Sequence, residues 1–123
     1  MIKFEATVTH VGELGNEFVD EGILVFFGET APHELREFSI IHDGEFLETD
    51  LVPEDVVSLD GVNYRILAVG DIANTNFRNL GHLVLKFNGE FDVELPGDVC
   101  VEKKELSMVQ PGSKILIYTK KDI

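Results

Sequence analysis

The chain has 123 residues, with 10 Lys or Arg against 23 Asp or Glu, so its formal net charge is −13. That length fits one domain, 1–123, with a single core. The charge argues against nucleic acid and anionic membrane surfaces, no apolar run approaches the roughly 20 residues of a spanning helix, and a lone cysteine, Cys100, excludes an internal disulfide and a cysteine zinc cage.

The start, Met1-Ile2-Lys3-Phe4-Glu5, lacks the apolar stretch of a signal peptide. With one cysteine and no targeting signal, the chain reads as cytoplasmic. Phe4, Ala6 and Val8 alternate with polar residues, which predicts a strand with one wet face. Ile23 to Phe27 is a continuous apolar run, as in a strand covered on both faces. Residues 30 to 36 suit one helical turn, capped by Thr30 with Pro32 in its first turn. Phe38 to Ile41 returns to strand character, and Asp43-Gly44 signals a turn just after His42.

Leu59-Asp60-Gly61-Val62 predicts a two-residue hairpin that pairs Leu59 with Val62 and Val57 with Tyr64. Residues 71 to 80 suit a helical turn ending at Gly81. At Asn88-Gly89 a three-residue loop is expected, with Gly89 in the left-handed position. It pairs Leu85 with Phe91 and Leu83 with Val93, and sets Lys86 against Glu90 and His82 against Glu94. Pro96-Gly97 and Pro111-Gly112 read as turns, and Lys114 to Thr119 as a last strand. Eleven glycines at close intervals and short strands define the fold class. It is all-β: a single-domain small barrel or sandwich of short, mostly antiparallel strands with one or two helical turns. A free edge strand in such a fold offers a route to dimers.

The chemistry rests on four histidines: His10, His33, His42 and His82. None shares the close spacing of a zinc motif, so no metal or cofactor is expected. Taken singly, each reads more simply as a solvated or hydrogen-bonded structural residue. His42 differs in position. It ends an apolar strand, and a rigid strand end can hold an imidazole while leaving one nitrogen open as a nucleophile. His82 opens the strand after Gly81, where Glu94 would hold its tautomer.

The run Ala68-Val69-Gly70, Asn76-Phe77-Arg78-Asn79-Leu80-Gly81-His82, Leu85-Lys86-Phe87-Asn88-Gly89, with Phe38-Ser39-Ile40-Ile41-His42 upstream and Pro96-Gly97 downstream, resembles the glucitol/sorbitol-specific IIA component of the bacterial sugar phosphotransferase system. The resemblance covers nearly the whole chain. It implies a phosphotransferase component with a phosphohistidine intermediate. The phosphoryl group arrives from the histidine-containing phosphocarrier protein and passes to a cysteine of a IIB component. The protein then meets the membrane only through its permease. The acceptor falls on His42, with Nε2 expected to attack, and the histidine of the Leu-Gly-His motif falls on His82. Asp43 and Glu45 inherit no role. Phosphoryl transfer is mostly positioning and charge stabilisation. Lys86, Arg65, Arg78 and His82 are therefore candidates to neutralise the phosphoryl oxygens. Two other readings compete: a non-catalytic β-barrel module binding a sugar or partner protein, and a metal site built on His42 and His82. The absence of Trp weakens a sugar platform.

Overall fold

The computed structural model describes residues 1–45, 49–106 and 108–120. Eight strands run β1 (Ile2–Val11), β2 (Ile23–Gly28), β3 (Ile40–His42), β4 (Val56–Leu59), β5 (Val62–Val69), β6 (Leu83–Lys86), β7 (Asp98–Val101) and β8 (Lys114–Tyr118). They close a barrel in the order β1-β3-β2-β6-β7-β5-β4-β8. Closure settles the choice between barrel and sandwich. It also removes the free edge that a strand-paired dimer would need, since every strand has two neighbours. Pairing is antiparallel except for β2 with β3 and β6 with β7.

Side-chain alternation places the core. Phe4, Ala6 and Val8 of β1 point inward and are buried with Leu24, Phe26, Ile40, Ile66, Leu85 and Ile117. The run in β2 is covered on both faces at its end, because Phe27 is buried as well as Phe26. The β4–β5 hairpin has the expected register, Leu59↔Val62 and Val57↔Tyr64. Asp60 and Gly61 both adopt positive φ, 49° and 87°. That is the backbone of a type I′ turn, whose twist matches the strands it joins.

Among the described residues, two α-helices and a 3-10 turn at Val19–Glu21 complete the fold. The first, α1 (His33–Arg36), is one turn, and Pro32 rather than Thr30 stands at its N-cap. The second, α2 (Ala73–Leu80), ends at Gly81 in the left-handed conformation, φ 65°. Its Phe77 packs against Phe4 at 4.7 Å between ring centroids. Among the described residues, no helix is long and apolar enough to cross a membrane.

The expected hairpin around Asn88-Gly89 does not form. Gly89 is left-handed, φ 70°, as expected, but β6 is already paired on both sides, with β2 and, in parallel, with β7. Residues 88–97 leave the ladder, and Phe91 is 67% exposed. The winning strand is Asp98–Val101, every residue of which is buried. Its unbroken run Val99-Cys100-Val101 gains more from burial on two faces than the alternating 91–94 segment does. Lys86 consequently faces Asp98 at 2.7 Å, not Glu90. The turn at Pro96-Gly97 does form, with Asp98 N–H donating to the Leu95 carbonyl at 3.1 Å.

Candidate functional site

His42 is the last residue of β3, held between β1 (Val8↔His42) and β2 (Gly28↔His42). With a period of two, it shares a face with Ile40, which is fully buried in the core. The imidazole therefore points into the end of the barrel, and the residue is 1% exposed. Phe4 meets the ring edge-on at 5.1 Å, and Phe77 of α2 stands at 6.4 Å.

Both ring nitrogens are engaged by backbone. Nε2 lies 2.9 Å from the Gly81 carbonyl oxygen, and Gly44 N–H donates to Nδ1 at 3.1 Å. A carbonyl only accepts and an amide N–H only donates. The tautomer is thereby determined: Nε2 carries the proton and Nδ1 the lone pair. Neither nitrogen is open, contrary to the expectation for a strand-end histidine. The sequence pattern showed a rigid strand end but not the two backbone groups that close over it, one of them 39 residues away.

The contact with Gly81 depends on glycine. A Cβ on Gly81 would lie 2.7 Å from Gly28 N and 3.0 Å from His42 Cε1. Gly44 packs as tightly: a Cβ there would lie 2.3 Å from the Phe4 ring. These three glycines are the part of the site that motif reading missed. The Leu-Gly-His motif and the helix-ending glycine were the available signals.

Burial lowers the His42 pKa below its ordinary 6.5, and the Gly81 carbonyl and the charges of Asp43 and Glu29 only partly offset this. The ring is neutral at pH 7, the nucleophilic form. The sign for stability follows from linkage. The unfolded chain binds a proton near pH 6.5 that the folded chain refuses, so stability falls as pH drops through 6.5 toward the folded value. Urea midpoints should therefore fall less between about pH 7.5 and 5.5 for His42→Gln than for the unsubstituted protein. Equal losses in the two proteins would refute the depressed pKa.

His82 precedes β6 and is half-buried, its ring stacked on that of Phe27 at 4.1 Å and 14°. Its Nδ1 lies 3.2 Å from the Phe26 carbonyl, so Nδ1 carries a proton and Nε2 is directed elsewhere. Phe26 and Phe27 hold this ring, not Glu94, because the strand pairing that would have brought Glu94 across does not form. The two histidines flank Gly81. His42 donates Nε2–H to its carbonyl, and His82 follows it directly in the chain.

The candidate cations are committed elsewhere. Lys86 pairs with Asp98 at 2.7 Å, and Arg65 on β5 lies near Glu102 at 3.6 Å and Glu54 at 3.9 Å. Arg78 on α2 pairs with Asp50. No turn forms at Asp43-Gly44; Asp43 instead extends the β1–β3 ladder, exchanging hydrogen bonds with Thr7 through its own N–H at 3.1 Å and its carboxylate at 2.8 Å. Among the described residues no group of three His, Cys, Asp or Glu is placed to hold a metal. A groove of about 780 Å³ runs outside β1 and β8 past Lys3, Thr7, Asp43 and Lys114, and neither histidine lines it.

Residues 3–116 match the family of PTS system glucitol/sorbitol-specific IIA components. The glucitol/sorbitol-specific EIIA components of Shigella flexneri and of Escherichia coli K12 are each 33% identical over 119 residues, covering 97% of both chains. The crystal structure of a PTS system IIA component from Enterococcus faecalis V583 superposes with a TM-score of 0.77 at 26% identity, over 90% of this chain and 96% of that one. With one barrel, the Leu-Gly-His segment packed against a buried strand-end histidine, and full-length similarity to these relatives, the chain belongs to the glucitol/sorbitol-specific IIA components of the phosphotransferase system.

Proposed function

We propose that His42 is the phosphoryl acceptor of this IIA component. It takes the group on Nε2 from the histidine-containing phosphocarrier protein and passes it to a cysteine of a IIB partner at the cytoplasmic side of the permease. One observation carries the reading: His42 is a buried, neutral imidazole held at both nitrogens by backbone groups. Such a ring is pre-positioned, and positioning is the larger part of phosphoryl-transfer catalysis.

The step balances simply. Nε2 first gives up its proton and the ring passes to the Nδ1–H tautomer; the freed Nε2 lone pair then attacks, the Nε2–P bond forms as the donor's N–P bond breaks, and the Nδ1 proton leaves with the departing imidazole. Nδ1 carries the proton only while Nε2 attacks, so the Gly44 N–H serves the resting ring and the phosphorylated one. The Gly81 carbonyl serves only the unphosphorylated one, and must part from Nε2 before attack.

His82 supports the transfer. With Nδ1–H given to the Phe26 carbonyl and the ring stacked on Phe27, it is the donor aimed at the phosphoryl oxygens. His82→Gln should slow transfer onto His42 about a hundredfold, the cost of one aimed donor. An unchanged single-turnover rate removes His82 from the mechanism. The charge of −13 also implies a basic docking face on the phosphocarrier. Transfer rates should fall as salt rises, and a flat salt profile would count against electrostatic steering.

The acceptor itself is tested by locating the phosphoryl group. The protein, labelled with ¹⁵N-histidine, is phosphorylated through phosphoenolpyruvate, the general phosphotransferase enzyme and the phosphocarrier protein. Coupling of phosphorus to Nε2 of His42 is expected. Coupling to Nδ1, or to His82, would overturn the assignment.

A further inference from the structure

We infer that α2 is a latch over His42, with Asn74 as its clasp. Three observations meet in this short helix. Its C-cap residue, Gly81, supplies the carbonyl that occupies Nε2 of His42. Its Phe77 side chain is buried beside Phe4 and the His42 ring. Its Asn74 side chain takes both backbone groups of Leu51: Leu51 N–H donates to Oδ1 at 2.8 Å, and Nδ2 donates to the Leu51 carbonyl at 3.0 Å. One turn further on, Arg78 pairs with Asp50.

A side-chain amide that satisfies a backbone N–H and C=O together imitates a strand neighbour, and it fastens α2 to the chain before β4. Nothing in the barrel ladder does so, because α2 itself contributes no strand pairing. Gly81 N–H is bonded to the Phe77 carbonyl at 2.9 Å, so the residue closing His42 moves with the last turn of the helix. The closed state of the site is thus maintained from Leu51, through Asn74 and α2, to the Gly81 carbonyl. Elements of this kind, fastened by a few side chains over a rigid scaffold, open locally without global unfolding. Asn74 is a positioning residue: it acts on His42 through Gly81.

The latch itself is independent of which histidine is phosphorylated. Its consequence for transfer rests on the reading of His42 as acceptor, so the two are tested separately. Carbethoxylation by diethyl pyrocarbonate, read residue by residue by mass spectrometry, reports access to each ring, and amide hydrogen exchange at Leu24 and Ile117 reports opening of the barrel. In the unsubstituted protein His42 should react more slowly than His82 but faster than those amides exchange. Asn74→Ala should raise the His42 rate about tenfold, as expected for losing the clasp's hydrogen bonds, and leave the His82 rate unchanged. Where Asn74→Ala folds poorly, Arg78→Gln gives a smaller rise in the same direction. If His42 reactivity rises only in step with Leu24 and Ile117 exchange, the opening is global and the latch is refuted. If His42 opens while phosphoryl acceptance does not quicken, the latch does not control transfer.

Discussion

His42→Gln is expected to leave a folded barrel that accepts no phosphoryl group. Glutamine carries an NH₂ donor group and an acceptor oxygen on its amide, so it can answer the Gly81 carbonyl and the Gly44 N–H that the imidazole now satisfies. It has no nitrogen lone pair basic enough to attack phosphorus. Intact mass at neutral pH, after incubation with the phosphoryl donors, should show one acid-labile group on the unsubstituted protein and none on the variant. Circular dichroism should match between the two. A label that persists on folded His42→Gln would move the acceptor, and His82 would be the next place to look. The contrast is large because the substitution removes the reacting atom rather than an aid to it.

The largest loss of stability is expected from Asp98→Ala, about 3–5 kcal/mol, the usual cost of removing one partner from a buried ion pair. Asp98 Oδ2 takes Lys86 Nζ at 2.7 Å and the Leu95 N–H at 3.1 Å. The Asp98 side chain is 2% exposed and that of Lys86 16%, so water screens the pair poorly. Alanine would leave the Lys86 charge without its carboxylate and release the turn at Pro96-Gly97 that admits β7 to the barrel. For a domain with a total stability of roughly 5–15 kcal/mol, such a loss is about 30–50% at the middle of that range. Urea unfolding measures it directly, and a cost below about 1 kcal/mol would mean that the pair behaves as a surface ion pair. The bond to Asp98 raises the Lys86 pKa above its ordinary 10.5. The folded state therefore holds that proton more tightly, and the pair's contribution is complete below 10.5 and fades as pH rises through the folded value. Alkaline destabilisation should accordingly be weaker in Lys86→Met than in the unsubstituted protein.

Local signals were legible wherever the interacting residues are neighbours in sequence. Asp60-Gly61 specifies its hairpin because both turn residues tolerate positive φ and the apolar side chains then share a face. Gly81 ends α2 for the same conformational reason. The Asn88-Gly89 signal was equally local, and its left-handed glycine is present. The pairing inferred from it was not local. It required β6 to have a vacant side, and β2 and β7 take both.

The sequence by itself determined the all-β class, most strand positions around the core, the Asp60-Gly61 hairpin and the turns at Pro96-Gly97 and Pro111-Gly112, and through the family resemblance it singled out His42. The tertiary structure decided the closed strand order, the partners of Lys86, Arg65 and His82, and above all the state of His42. That imidazole is closed by groups at positions 44 and 81, the second 39 residues away along the chain. Both are backbone groups on glycines. Backbone N–H and C=O are the same at nearly every position, so no residue pattern announces which of them will meet a side chain; only the folded path of the chain brings them there.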